Sequence, residues 1–412
     1  MPTLSDSELD TQLRTARAAL KSVGALGDIY AQLLLGQEDP YPLYERMRPR
    51  GPLQRSMIGS WLVVDRALAD EILRDRRFGR RTTKGEWPEG PSDFDNSFLA
   101  MDPPDHTRLR RIATPAFGPR VVAAFRPEVE RACHELLDRV DTGAPFDLMD
   151  AYAKQVPARV IGALFGIPEQ EQPRFDELCR GLSLVLDGVV SLAEVKELQA
   201  AVDGTRELFT ELLELRRRSP GDDLVSRLLA DVDAERLTAE ELVAMCGMLA
   251  LAGTETTVNL IGNGTLAMLG ERAVWERLCA DPELAPRAVE ESVRYDTSVL
   301  MQSRFTHQEI EIAGRRLPVD AQVIILTGAC NRDPAAYAEP DRFDLDRTGE
   351  PDHISFSSGI HYCLGAPLAK LEAEVAFRVL SQRLPGLRQA GPVRRRLSPF
   401  IRGLHAFPVT AS

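Results

Sequence analysis

The chain has 412 residues, 44% apolar and 27% charged, a mix too apolar for a disordered polymer and ordinary for a folded one. Its 62 acidic residues against 50 lysines and arginines leave a formal charge of −12, which argues against a nucleic-acid binder, since these carry a basic surplus. The most apolar stretch, around Met245 to Gly253, is far shorter than the about 20 residues a bilayer requires. Residues 1–21 are charged and lack the apolar core of a signal peptide, so a cytoplasmic protein with no membrane span is expected. Length alone allows two or three domains, yet no repeat, low-complexity tract or Gly/Ser linker divides the sequence, so one large domain over 1–412 is expected.

In chain order, the first 30 residues read as a helical leader. Short β-like runs around 51–65 precede a helix from Arg66 to about Arg74. Residues 80–104 are polar and rich in Gly and Pro; a surface loop of that length is often functional. Helical periodicity then recurs over 121–140, 148–165, 170–186 and 193–218. A long helix follows over 238–271, opened by Thr238 and Glu241 as a T-x-x-E capping box. It is apolar nearly all round, the mark of a helix buried in the middle of a protein, and it should run roughly 50 Å.

Asp281-Pro282 starts another helix, and strands are expected at Ile310-Glu311-Ile312 and Gln322-Val323-Ile324-Ile325. From Asn331 to Cys363 the chain reads as loop, and 367–384 as an amphipathic helix. The fold class is therefore mainly α with small β-sheets. The helix-rich core spans about 105–300 and 365–385, and the β-rich parts lie at about 51–65, 303–328 and 386–412. Nothing alternates as βαβ units.

Six cysteines are scattered without C-x-x-C spacing, so neither a zinc site nor a disulfide framework is suggested. Cys363 stands apart, in Phe356-Ser357-Ser358-Gly359-Ile360-His361-Tyr362-Cys363-Leu364-Gly365, just before a helix. Glycine permits positive φ and close approach of a flat ligand, and the positive end of a helix favours a thiolate able to ligate a soft metal or haem iron. An isolated C-x-G is more often a structural cysteine beside a turn.

The whole pattern F-x-x-G-x-H-x-C-x-G resembles the haem-binding loop of the cytochrome P450 superfamily. That resemblance implies a single domain enclosing haem b, with Cys363 as axial ligand and Phe356, Gly359 and Gly365 shaping the loop. Ser357 stands where many members carry Gly, and Asp320 where a turn Gly is frequent. Three further constellations are similar to the family, and each has an ordinary reading of its own.

Ala252-Gly253-Thr254-Glu255-Thr256-Thr257 lies midway along the long helix. Read alone it is a bent core helix whose Thr bonds a carbonyl one turn back. The resemblance makes Thr256 the hydrogen-bond partner of dioxygen and Glu255 a proton relay, with the small Ala252 and Gly253 leaving room beside them.

Glu291 and Arg294 share one helix face as an ordinary ion pair. In the family they lock with an arginine from a later loop, for which Arg342 is the candidate. His106 and Arg110, at i,i+4 after Pro103-Pro104, read alone as a solvated basic face. The resemblance assigns them, with Arg304 and His361, to the haem propionates.

The implied function is a haem-thiolate monooxygenase that hydroxylates or epoxidises a small or medium organic molecule, in secondary-metabolite biosynthesis. Oxidative coupling or desaturation on the same fold is the alternative, and a catalytically silent scaffold the third reading. Substrate contacts are expected from Trp87, Phe94 and Phe98 with Arg80, Arg81 and Lys84, from Leu182 to Leu198, from Met248 and Leu249, from Val299 to Met301, and from Phe400 to Arg402. No G-x-G-x-x-G fingerprint or ferredoxin-like cysteine set occurs, so electrons are expected from a separate ferredoxin and its reductase. These would dock on a basic patch including Arg108, Arg111 and Lys370. A monomer is expected.

Overall fold

The computed structural model describes residues 5–86 and 97–411. Trp87 and Phe94 lie outside the described residues. The first helix is Asp6–Ala25, and Arg66–Arg74 forms where expected, with Asp65 accepting from Leu68 N at its start. The central helix, Ala239–Gly270, is one unbroken 32-residue element opened by the Thr238–Glu241 capping box, about 48 Å long at 1.5 Å per residue. By length and composition it could cross a membrane, but 72% of its most apolar window is buried by the rest of the chain, so it serves as the core. The largest apolar cluster gathers around it, with Gln155–Phe165, Leu192–Arg218, Ala285–Tyr295 and Ala366–Arg383 packed against it.

Four expected helices are broken, three of them beside a proline. The 121–140 segment divides into Pro119–Ala124 and Arg126–Asp138, because Pro127 has no N–H to give to Ala123. The 148–165 segment begins with a wide turn, Met149–Ala153, before Gln155–Phe165; Pro157 similarly leaves the carbonyl of Ala153 without its helical donor. The 170–186 segment splits at Ser183 into Gln172–Leu182 and a short helix Leu184–Asp187, ended by Gly188 at φ +75°. Pro282 opens only a tight turn, Pro282–Leu284, and the helix proper is Ala285–Tyr295.

Strands Ile310–Ile312 and Gln322–Ile325 form where read. The main sheet runs Leu53–Arg55, Trp61–Val63, Gln322–Ile325, Gln302–Thr306, Phe78–Gly79. Trp61–Val63 and Gln322–Ile325 pair in parallel, Trp61 opposite Val323, and the other pairs are antiparallel. Three smaller sheets of two or three strands complete the β structure.

The ion lock differs from expectation in one member. Glu291 and Arg294 are 4% and 3% exposed and paired at 2.7 Å, so theirs is a buried bond, not a surface pair. The third residue is Arg347, whose Nε lies 3.3 Å from Glu291. Arg342 contributes only its carbonyl, which accepts from Arg294 Nη2 at 3.1 Å, while its side chain points outward to Glu339. The lock pins the meandering 331–363 segment to the helix Ala285–Tyr295 through the carbonyls of Asn331 and Pro340, and so sets the approach to Cys363.

Candidate active site

The cysteine loop is closed by Cys363 N donating to Phe356 O at 2.7 Å. Gly359 has φ +64°, and a Cβ there would meet Leu73 O at 2.6 Å, so glycine is required. Gly365 has an ordinary φ of −82°, and no protein atom lies within 4 Å of where a Cβ would stand. Ser357 adopts φ +63°, the left-handed conformation that the family's glycine takes without strain. Phe356 packs against Tyr362 and His353, with Lys370 Nζ 5.3 Å from its ring centre.

Residue Cys363 remains exposed, yet its sulfur sits deep among surrounding atoms, and this burial pushes the thiol above its usual pKa. The backbone N–H groups of Gly365 and Ala366 and the nearby Arg110 pull the other way. The helix terminus thus favours thiolate but is outweighed by burial, and a cation bonded to sulfur would add to its pull.

Around the cysteine the structure gathers His106, Arg110, Arg304 and His361. His106 is 2% exposed, and neither ring nitrogen has a hydrogen-bond partner among the described residues. Its ring centre lies 4.3 Å from that of His361, whose Nε2 stands 3.8 Å from an Asp102 carboxylate oxygen. Burial brings both imidazoles down to about 4, Arg110 adding to the effect at His106 and Arg304 at His361.

Helix Asp105–Ala113 also carries Arg110, which donates to the carbonyl of Tyr362. Arg304, buried on Gln302–Thr306, donates to Ser303 O at 2.7 Å and to Ser357 Oγ at 3.3 Å. Sequence reading missed Asp102. It accepts from Arg80 N at 2.8 Å and Arg81 N at 2.9 Å, and its carboxyl is held down at about 2 by His361 and those two amides against the cost of burial. An aspartate before Pro103-Pro104 was its only trace in the sequence.

On the central helix, Thr256 Oγ1 donates to Ala252 O at 2.7 Å, and Thr256 O accepts from Ser298 Oγ at 2.8 Å. The second bond ties this turn to the segment leading into Arg304's strand. Ala252 is exposed although Leu251 and Thr254 beside it on the central helix are buried. Gly253 does not leave room beside it as expected: Ile161 Cδ1 fills the position at 2.6 Å from where a Cβ would stand. Glu255 is partnered by Arg396 and by Asn259 Nδ2 at 3.1 Å.

The expected substrate contacts divide. Met248, Leu249, Leu300, Met301 and Phe98 are buried core, and Val299 bridges Ile401. Arg402 is clamped to Asp296 at 2.5 Å and is not available to a ligand. Leu184–Asp187 and Phe400 are only half-buried. Of the basic patch, Arg108 pairs with Glu241, and Lys370 with Glu290 at 2.6 Å; Arg111 is exposed.

A buried, unpartnered histidine, a second half-buried histidine near Asp102 and two arginines beside a cysteine make a donor set suited to a bis-carboxylate ligand with a thiolate-bound metal. Among the described residues no cluster of three His, Cys, Asp or Glu could hold a metal, so a metal here would rest on a single cysteine ligand within a larger group.

The family model for cytochrome P450 matches residues 51–384. The chain is 36% identical to putative cytochrome P450 140 of Mycobacterium tuberculosis, over 93% of this chain and 92% of that one. It is 37% identical to 6-deoxyerythronolide B hydroxylase of Saccharopolyspora erythraea, over 90% and 96%. The crystal structure of ligand-free CYP164A2 from Mycobacterium smegmatis superposes with a TM-score of 0.84, at 36% identity, covering 93% of this chain and 99% of that one. With the cysteine loop in place and the likeness running nearly end to end, the chain belongs to the cytochrome P450 family and is a haem-thiolate monooxygenase.

Proposed function

We propose that the protein holds haem b, with Cys363 as the residue whose thiolate would bind it, and inserts one oxygen atom from O2 into a small or medium organic molecule, by hydroxylation or epoxidation, in the biosynthesis of a secondary metabolite. The observation that carries this reading is the pair of orphaned nitrogens on buried His106, facing His361 beside Cys363. Bound haem supplies dioxygen activation, with the thiolate's electron push favouring O–O cleavage.

The chain's own residues do the rest. His106, Arg110, Arg304 and His361 bind the two propionates by charge-assisted hydrogen bonds. The backbone N–H groups of Gly365 and Ala366 temper the charge on the Cys363 sulfur, and Phe356 packs the loop that carries it. Thr256 holds a proton at Oγ1; by rotating away from Ala252 O it can present that proton to the reacting oxygen, beside the small Ala252. Glu255 carries protons inward at its carboxylate. Half-buried apolar groups of Leu184–Asp187 and Phe400 help to keep water from the substrate.

The whole chain, 1–412, acts as one domain in the cytoplasm, as a monomer. Its electrons come from a separate ferredoxin and reductase.

The test is the reduced protein under carbon monoxide. A red-shifted Soret band is expected, and Cys363→Ala should abolish it. Persistence of the band in that variant would overturn the ligand assignment. Compounds that then convert low-spin to high-spin iron identify the substrate class.

A further inference from the structure

We infer that Arg396 is a positioning residue that couples closure of the Leu184–Asp187 helix to the freedom of Glu255. This inference rests on the proposed proton-carrying role of Glu255. Arg396 is only 9% exposed and spreads its guanidinium between two carboxylates: Nη1 donates to Glu255 on the central helix, and Nη2 to Asp187 at 2.5 Å. Three elements distant in sequence thus meet in one charged bridge.

The arginine itself is anchored, its N–H donating to Gly403 O at 3.1 Å across the C-terminal hairpin. A second tie holds the same helix to the same segment: Ser398 Oγ donates to Leu186 O at 2.9 Å. Beyond Asp187 the chain turns at Gly188, φ +75°, a backbone conformation open to glycine and therefore suited to a hinge.

The bridge is only half satisfied. Asp187 Oδ1 and Arg396 Nε are buried without partners among the described residues. A buried network in that condition rearranges more readily than a complete one. Two carboxylates share one cation, so one of them can leave without stranding the guanidinium.

While Asp187 is docked, Glu255 can swing toward Thr256 and the guanidinium stays neutralised. When the Leu184–Asp187 helix lifts away, Arg396 has only Glu255, and breaking that pair would leave a buried charge uncompensated. Proton delivery is thereby restricted to the closed form, in which substrate is covered.

The experiment is a double-mutant cycle in the holoenzyme. Asp187→Asn removes the second carboxylate, so Glu255 is held more firmly. Its kcat should fall roughly tenfold, the size of one charge-assisted hydrogen bond, with KM moving less than about twofold. In an Arg396→Gln background the Asp187→Asn defect should vanish, because no cation remains to hold Glu255; an equal defect in both backgrounds would mean a merely structural role and would overturn the inference.

Hydrogen exchange supplies a readout that does not depend on turnover. Peptides covering 183–191 should exchange at least about fivefold faster in Arg396→Gln than in the parent. Unchanged exchange there would show that the bridge does not hold the helix. Glu255→Gln separates the two levels: normal turnover in that variant would remove the proton role of Glu255, while the exchange result would still decide whether Arg396 ties the helix down.

Discussion

Arg347 Nε lies 3.3 Å from Glu291, inside a buried cluster that also contains Arg294, whereas the Arg342 side chain is 61% exposed. The two arginines should therefore respond very differently to truncation. Arg347→Ala leaves Glu291 with one cation where it had two, and it also breaks the 2.8 Å pair to Glu350. A loss of about 3–5 kcal/mol is expected, enough to impair haem retention in cells. Arg342→Ala keeps the carbonyl that Arg294 uses and should stay within about 0.5 kcal/mol of the parent. Thermal melts of the two holoproteins decide the matter; equal losses would return Arg342 to the lock.

Glu372 gives a pH dependence of its own. It is 1% exposed on Ala366–Arg383, its Oε2 has no partner among the described residues, and burial raises its carboxyl well above the usual range. A carboxyl whose folded pKa is raised stays protonated in the fold after the unfolded chain has ionised. Its stabilising contribution is whole below the unfolded pKa, about 4.3, and is lost as pH rises toward the folded value, at about 1.4 kcal/mol per unit. Glu372→Gln should melt like the parent near pH 4 and at higher temperature than the parent near pH 8. Parallel melting curves across that range would show that Glu372 is paired in solution.

What the sequence revealed and what it hid follow from the range of the interactions. The Thr238–Glu241 cap, the Arg66–Arg74 helix and the loop around Cys363 are set by neighbours a few residues apart, and each formed where it was read. The breaks at Pro127 and Pro157 were also local, but the hydrophobic periodicity on either side masked them. The third arginine of the lock was misplaced because Arg342 and Arg347 both follow a plausible turn, and only the folded path of 331–363 shows which one faces Glu291. Glu255 needed a partner, as an acid in an apolar helix does, but Arg396 is supplied from 141 residues away. Gly253 read as empty space because no periodicity announces that Ile161 fills it.

Docking of the electron donor should depend on Arg111 more cleanly than on its neighbours. Arg108 and Lys370 are already neutralised by Glu241 and Glu290, so reversing either charge also breaks an internal pair. Arg111 is exposed on the helix whose Arg110 reaches the carbonyl beside Cys363. Arg111→Glu should slow electron transfer from an acidic ferredoxin, more at low ionic strength than at high, since exposed charges are screened beyond about 10 Å at 0.1 M salt. Stopped-flow reduction at two salt concentrations measures this; a defect independent of salt would point to altered packing.

Ser357 combines backbone strain with a useful side chain. Its φ of +63° costs an L-residue about 1–2 kcal/mol that glycine does not incur. Against this, Ser357 Oγ accepts from Arg304 Nη2 at 3.3 Å, a long bond of modest value. Substitution by two different small residues separates the two effects. Ser357→Gly relieves the strain and gives up the bond, so a net gain of about 0.5–1 kcal/mol is expected. Ser357→Ala gives up the bond and keeps the strain, so it should destabilise by about 0.5–1.5 kcal/mol. Melting temperatures of the two holoproteins should move in opposite directions. If both fall, the Arg304 contact outweighs the backbone conformation, and haem-loss rates in the two variants should rise together because Arg304 would have lost its hold beside the cysteine loop.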